Sequence, residues 1–158
     1  MQFKAVSPLA LRAAVAGLLS LGLFSVSYAQ VSVKEPWVRA TVAQQQATGA
    51  FLQITSATPA RLVSASSPVA AVVEIHEMSM DAGVMKMRAV PALELPAGVS
   101  VELKPGGYHV MLMGLKNQIK AGDSVPLSLV VEGTNKKRET IELMVPARAL
   151  GGAPASAH

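Results

Sequence analysis

From Val31 to Val145 the chain alternates apolar and polar residues in short runs, and nearly every run is closed by a turn-forming cluster. A period of two marks a strand with one buried face, because successive side chains leave a strand on opposite sides. The runs predict strands over Val31–Arg39, Ala50–Thr55, Val72–Met80, Met85–Val90, Val99–Leu103, Tyr108–Met113, Val125–Val131 and Thr140–Val145. Pro36 interrupts the first of them. Asp81-Ala82-Gly83, Pro96-Ala97-Gly98, Pro105-Gly106-Gly107, Ala121-Gly122-Asp123 and Gly133-Thr134-Asn135 supply the turns. Many short strands at this spacing predict an all-β sandwich or barrel. No internal repeat and no long helical stripe occurs beyond the first 29 residues.

Those first residues obey different rules. Lys4 and Arg12 precede an apolar stretch from Ala13 to Phe24, and Ser27-Tyr28-Ala29 follows, with no acidic residue in the whole segment. This is the pattern of an export signal cleaved after Ala29. The apolar stretch falls short of the roughly 20 residues that span a bilayer, so no stable membrane insertion is expected after cleavage. Without a cysteine, a lipid-anchored form is not expected either. Residues 30–147 are one domain's length, and the 51% hydrophobic composition is enough for a core. Residues 148–158 read as a flexible tail of small residues ending in His158.

Charge excludes one class of partner. Setting Lys4 and Arg12 aside from 14 basic and 10 acidic residues leaves a net charge of +2. The run Lys136-Lys137-Arg138 sits beside turn residues and reads as a solvated hairpin tip. With one Trp and two Tyr there is no stacking platform for bases, so no nucleic-acid partner is expected.

The chemistry concentrates in three strands. Six of the eight methionines lie between Met78 and Met113, beside His76 and His109. His76, Met87, His109 and Met111 are spaced His-x10-Met-x21-His-x-Met. Thioethers are soft, neutral ligands and imidazole suits late transition metals, so this set favours Cu(I) over hard ions. Alternation sets Val73 and Ile75 on one face and His76 and Met78 on the other; likewise Val110 and Leu112 oppose His109, Met111 and Met113. Met87 tests the hairpin register. Paired Met80 with Val84, it faces away from His76; paired Met80 with Met85, it shares the face of His76. Methionine also fills gaps in cores. Met78, Met80, Met85 and Met113 read equally as supporting residues, landing sites for metal, or packing.

Three segments resemble the periplasmic copper chaperones of the PCuAC family: Val73 to Met80 with Gly83 to Arg88, Leu103 to Leu115, and Pro36 to Thr41. The resemblance spans about Val31 to Val145. It implies a cupredoxin-like Greek-key β-barrel or sandwich, and one Cu(I) per chain held by His76, Met87, His109 and Met111. It further implies a periplasmic monomer that delivers copper toward the CuA centre of cytochrome c oxidase, alongside Sco-type thiol proteins. Some family members bind Cu(II) through a Met- and His-rich extension; here the tail offers only His158.

Competing readings meet specific obstacles. A blue-copper site needs a cysteine thiolate, and the chain has none. No nucleophile-elbow motif is present, and a metal with four protein ligands has no open position for a substrate, so an enzyme is not expected. Copper sequestration uses the same residues as delivery. A metal-free β-sandwich assembly module is the alternative of a different class.

Overall fold

The computed structural model describes residues 30–149. The expected signal segment 1–29, and residues 150–158 of the expected tail 148–158, His158 among them, lie outside the described residues; Arg148, at the start of that expected tail, is in a strand. Ten strands form among the described residues: β1 (Val31–Arg39), β2 (Ala47–Ser56), β3 (Ala60–Ser66), β4 (Ala70–Asp81), β5 (Val84–Ala89), β6 (Leu93–Leu95), β7 (Ser100–Leu103), β8 (Tyr108–Leu115), β9 (Ser124–Gly133) and β10 (Arg138–Arg148). All eight expected strands are present, and β3 and β6 are additional. Among the described residues no helix is long and apolar enough to cross a membrane.

The strands hydrogen-bond in the order β5-β4-β8-β2-β1-β10-β9-β3-β6, with β7 beside the second half of β2. Among the described residues only β1 and β10 pair in parallel; the other pairs are antiparallel. The all-β expectation holds, and the ladder runs from edge to edge without closing between β5 and β6. Pro36 does not end β1. The strand absorbs it in an irregularity between Lys34 and Trp37, where Glu35 takes a φ of 49°.

Alternation builds the core. Val125, Leu127, Leu129 and Val131 of β9 turn inward, as do Val110 and Leu112 of β8, Ile75 of β4 and Ile54 of β2. Burial at this scale is the main driving force for folding, at about 25 cal/mol per Å² of apolar surface. The basic run after β9 is less isolated than its composition implies: Arg138 lies 3.1 Å and Lys136 4.0 Å from the buried carboxylate of Glu132, which Arg61 of β3 also meets at 2.6 Å.

Two features position the site. β4 is long enough to pair with β8 as far as Glu77 and with β5 from His76 onward, so its end reaches past β8 as a hairpin. The turn from β7 to β8 then abuts this hairpin, where the Met78 N–H donates to the Gly107 carbonyl at 3.2 Å.

Candidate metal centre

Directly opposite residues of an antiparallel pair share a face. His76 of β4 lies opposite His109 of β8, and Glu74 lies opposite Met111. Met111 also faces Gly49 of β2. Both imidazoles and Met111 therefore occupy one face, with Ile75, Val110 and Leu112 on the core side.

The hairpin settles the position of Met87. Of the two registers open to the sequence, Met80 pairs with Met85, and Met78 pairs with Met87. The four residues between Met80 and Met85 fold as one further pair, Asp81 with Val84, closed by Ala82 and Gly83. Their φ angles are 49° and 79°. Two successive positive φ values are what a type I′ turn requires, and that turn matches the right-handed twist of its strands. Met87 thus shares the face of His76.

A cavity of about 420 Å³ opens on this face, lined among others by Phe51, Met78, Met85, Met87, His109 and Met111. Three of the four expected ligands line it. His76 does not; it stands beside the cavity with its ring centroid 5.7 Å from that of His109. Both histidines are buried, at 9% and 5% exposure, whereas Met87 is 46% exposed. The centre therefore has a shielded imidazole side and an open thioether side.

Each ring has one nitrogen committed and one available. His109 Nδ1–H donates to the Gly107 carbonyl at 3.0 Å, which leaves the lone pair on Nε2. His76 Nε2–H donates to the Glu74 carboxylate at 2.8 Å, which leaves the lone pair on Nδ1. That Nδ1 is buried and has no hydrogen-bond partner among the described residues. A buried acceptor without a partner is costly, and a metal ion would relieve it. Burial pushes the His109 pKa below the ordinary imidazole value, the neighbouring His76 and Arg39 charges lower it further, and the Gly107 bond opposes them. The ring is accordingly neutral at pH 7, the form that binds metal. Among the described residues, no group of three His, Cys, Asp or Glu side chains could hold a metal. The side chains that share this face with both imidazoles and could complete the shell include the thioethers of Met111 and Met87, which suit a soft ion.

Several residues at the site escaped the sequence reading. Glu74 and the Gly107 carbonyl fix the two tautomers. Phe51 walls the cavity, with its ring 6.3 Å from that of His109. It is held by Trp37 at 4.6 Å and by the Arg39 guanidinium at 5.5 Å. Gly49 makes the room: a Cβ there would stand 2.9 Å from the Phe51 ring. The one available signal was a carboxylate two residues before a histidine on a strand, which puts both on one face.

Comparison with known proteins agrees with this architecture. The LpqE-like lipoprotein family model matches residues 31–147. A protein of Leifsonia xyli subsp. xyli (strain CTCB07), named as a lipoprotein, is 32% identical over 124 residues, 78% of this chain and 72% of that one. Among solved structures, the copper-bound PCuAC domain from PmoF2 superposes with a TM-score of 0.58 at 23% identity, covering 77% of this chain and 96% of that domain. Apo-DR1885 from Deinococcus radiodurans gives a TM-score of 0.57 at 27% identity, covering 96% of this chain and 97% of that one. The CuI form of DR1885 gives 0.51, covering 82% of each.

Proposed function

This chain belongs to the LpqE-like family, which is of PCuAC type, and from that premise we propose that it is an exported Cu(I)-binding metallochaperone of the periplasm. Its ligands in this reading are His76, Met87, His109 and Met111, with one ion per chain. The observation that carries the proposal is the pairing of His76 with His109 on the face that also bears Met111 and Met87, with one free lone pair on each ring. Copper-bound PCuAC domains, the CuI form of DR1885 among them, support the choice of metal.

Four neutral ligands leave a cuprous site with a net charge of +1. The two buried imidazoles hold the ion, while exposed Met87 is the ligand that an incoming group displaces first. A thiolate on an acceptor protein, of Sco type or in the CuA subunit of cytochrome c oxidase, replaces that thioether while the rings still grip. Stepwise exchange of this kind suits delivery, and the open thioether side favours it over storage. The protein acts as a monomer that binds and hands over its cargo, without catalysis.

Competition titration with a chromophoric Cu(I) chelator, joined to X-ray absorption, tests the ligand set. The expected result is one ion held tightly at this centre in a mixed nitrogen and sulfur shell, with the nitrogen ligation lost in His76→Ala/His109→Ala. Tight binding undiminished in that variant, or a shell without nitrogen, would refute it. For delivery, a deletion strain with low oxidase activity is expected; copper sensitivity with normal oxidase would point to sequestration instead.

A further inference from the structure

Methionine normally fills gaps inside a protein, yet on the β4–β5 hairpin it faces solvent. Met80, Met85 and Met87 are 66%, 53% and 46% exposed. Register gathers them on one face, with Met80 opposite Met85 and Met78 opposite Met87. The other face of the same hairpin carries the charges, paired as Glu77 with Arg88 at 2.6 Å and Asp81 with Lys86. The hairpin is thus sorted chemically, with four thioethers on one side and two ion pairs on the other. The polar side is what keeps so short a projection soluble, so the apolar exposure opposite it calls for a role.

Met87 belongs to the histidine set. The other three form a triangle of their own. Cβ atoms of a directly opposed pair such as Met80 and Met85 lie about 4.5–5.5 Å apart, and Met78 is the next residue along the same face. Three rotatable bonds per side chain let the sulfurs converge. Three uncharged, polarisable donors, with the nearby carboxylates on the far face, suit a soft monovalent ion and offer nothing to a hard one. Met78 and Met85 also line the cavity that contains Met87, His109 and Met111, so the triangle borders the mouth of the centre described above.

We propose that Met78, Met80 and Met85 form a second, thioether-only site for Cu(I) or Ag(I) at the tip of the β4–β5 hairpin, filled independently of the imidazoles. This goes beyond the chaperone reading, since it requires neither histidine. It gives the protein a place to receive a soft ion in the open before the ion meets the buried rings.

The test is titration of the purified protein with Ag(I), and with Cu(I) under reducing conditions, followed by NMR of 13C-labelled methionine methyl groups. Wild type is expected to take two equivalents. His76→Ala/His109→Ala is expected to keep one, and that ion shifts the methyl signals of Met78, Met80 and Met85. Met80→Leu, at a residue that does not line the histidine cavity, is also expected to keep one, now at the imidazoles; Leu conserves volume on an exposed face and leaves the fold intact. Should the alanine pair not fold, His76→Gln/His109→Gln replaces it. A wild-type protein that takes one equivalent only, lost with the imidazoles and leaving the three methyl signals unmoved, overturns the second site while sparing the first. That outcome is also the one a purely protein-docking patch would give. Two equivalents persisting in Met80→Leu overturn it equally. Two equivalents persisting in the double-histidine variant overturn instead the histidine centre.

Discussion

At the scale of single residues, Glu74 and the carbonyl of Gly107 decide which nitrogen each imidazole offers. Removing the orienting partner of a metal-binding histidine typically costs 10–100-fold in affinity. Glu74→Ala is therefore expected to weaken Cu(I) binding by about 10–100-fold, measured by chelator competition, with the fold preserved because the side chain is 44% exposed and outside the core. His109 supplies a pH prediction. Its folded pKa lies below the ordinary imidazole value, chiefly through burial. Between that folded pKa and about 6.5, the unfolded chain binds a proton that the folded one does not, so stability falls as pH is lowered through this window. Thermal melts of the apo protein from pH 7.5 to pH 5 are expected to show the decline, and His109→Gln to flatten it. The candidate ligands were legible because residue type and spacing carry their chemistry. Glu74 was not, because a glutamate on a half-exposed strand resembles any solvated residue until its neighbour is located.

The decisive element is the β4–β5 hairpin. Only its register carries Met87 to the face of His76, and the Ala82-Gly83 turn sets that register. Gly83 has open space around it, so a side chain there meets no neighbour; its φ of +79° is the whole difficulty. Gly83→Val is expected to cost about 1–3 kcal/mol of backbone strain and to lower Cu(I) affinity as Met87 loses its place. Chemical denaturation and chelator competition read the two effects. The sequence could state the alternatives for this hairpin but not choose between them, because Asp81-Ala82-Gly83 fits either loop length. The two strands it missed have local reasons. A register shift between Leu62 and Ser64 breaks the two-residue rhythm of β3, and β6 is only three residues long. The strands it found, such as β9 with Val125, Leu127, Leu129 and Val131 all turned inward, keep strict alternation.

Across the whole molecule, the hydrophobic core lies on the side of β4 and β8 opposite the histidine face. Leu129 is fully buried in the core, so Leu129→Ala is expected to cost about 2–5 kcal/mol of folding free energy. Glu132 joins β3, β9 and β10 through Arg61 and Arg138. These two guanidiniums hold its carboxyl below the usual carboxylate range, Arg61 foremost. Its contribution to stability is present above about pH 4.5 and is lost as pH falls through the lower folded value. Glu132→Ala should lower the melting temperature while leaving Cu(I) affinity unchanged, since the residue lies among the strands away from β4, β5 and β8. The sheet as a class followed from alternation and turn chemistry. Its order did not, because which strands neighbour one another depends on contacts between distant segments.

The Gly107 oxygen accepts two bonds at once, from the Met78 backbone and from the His109 ring. That single atom ties the end of β4 to the turn before β8, just beyond their last directly opposed pair, Glu77 and Tyr108. Levering the projecting arm outward would break the Met78 bond and leave the bond from the buried His109 ring to Gly107 in place. The grip on that imidazole should then outlast a movement of the arm, so that a docked acceptor reaches the thioether before the ring is disturbed.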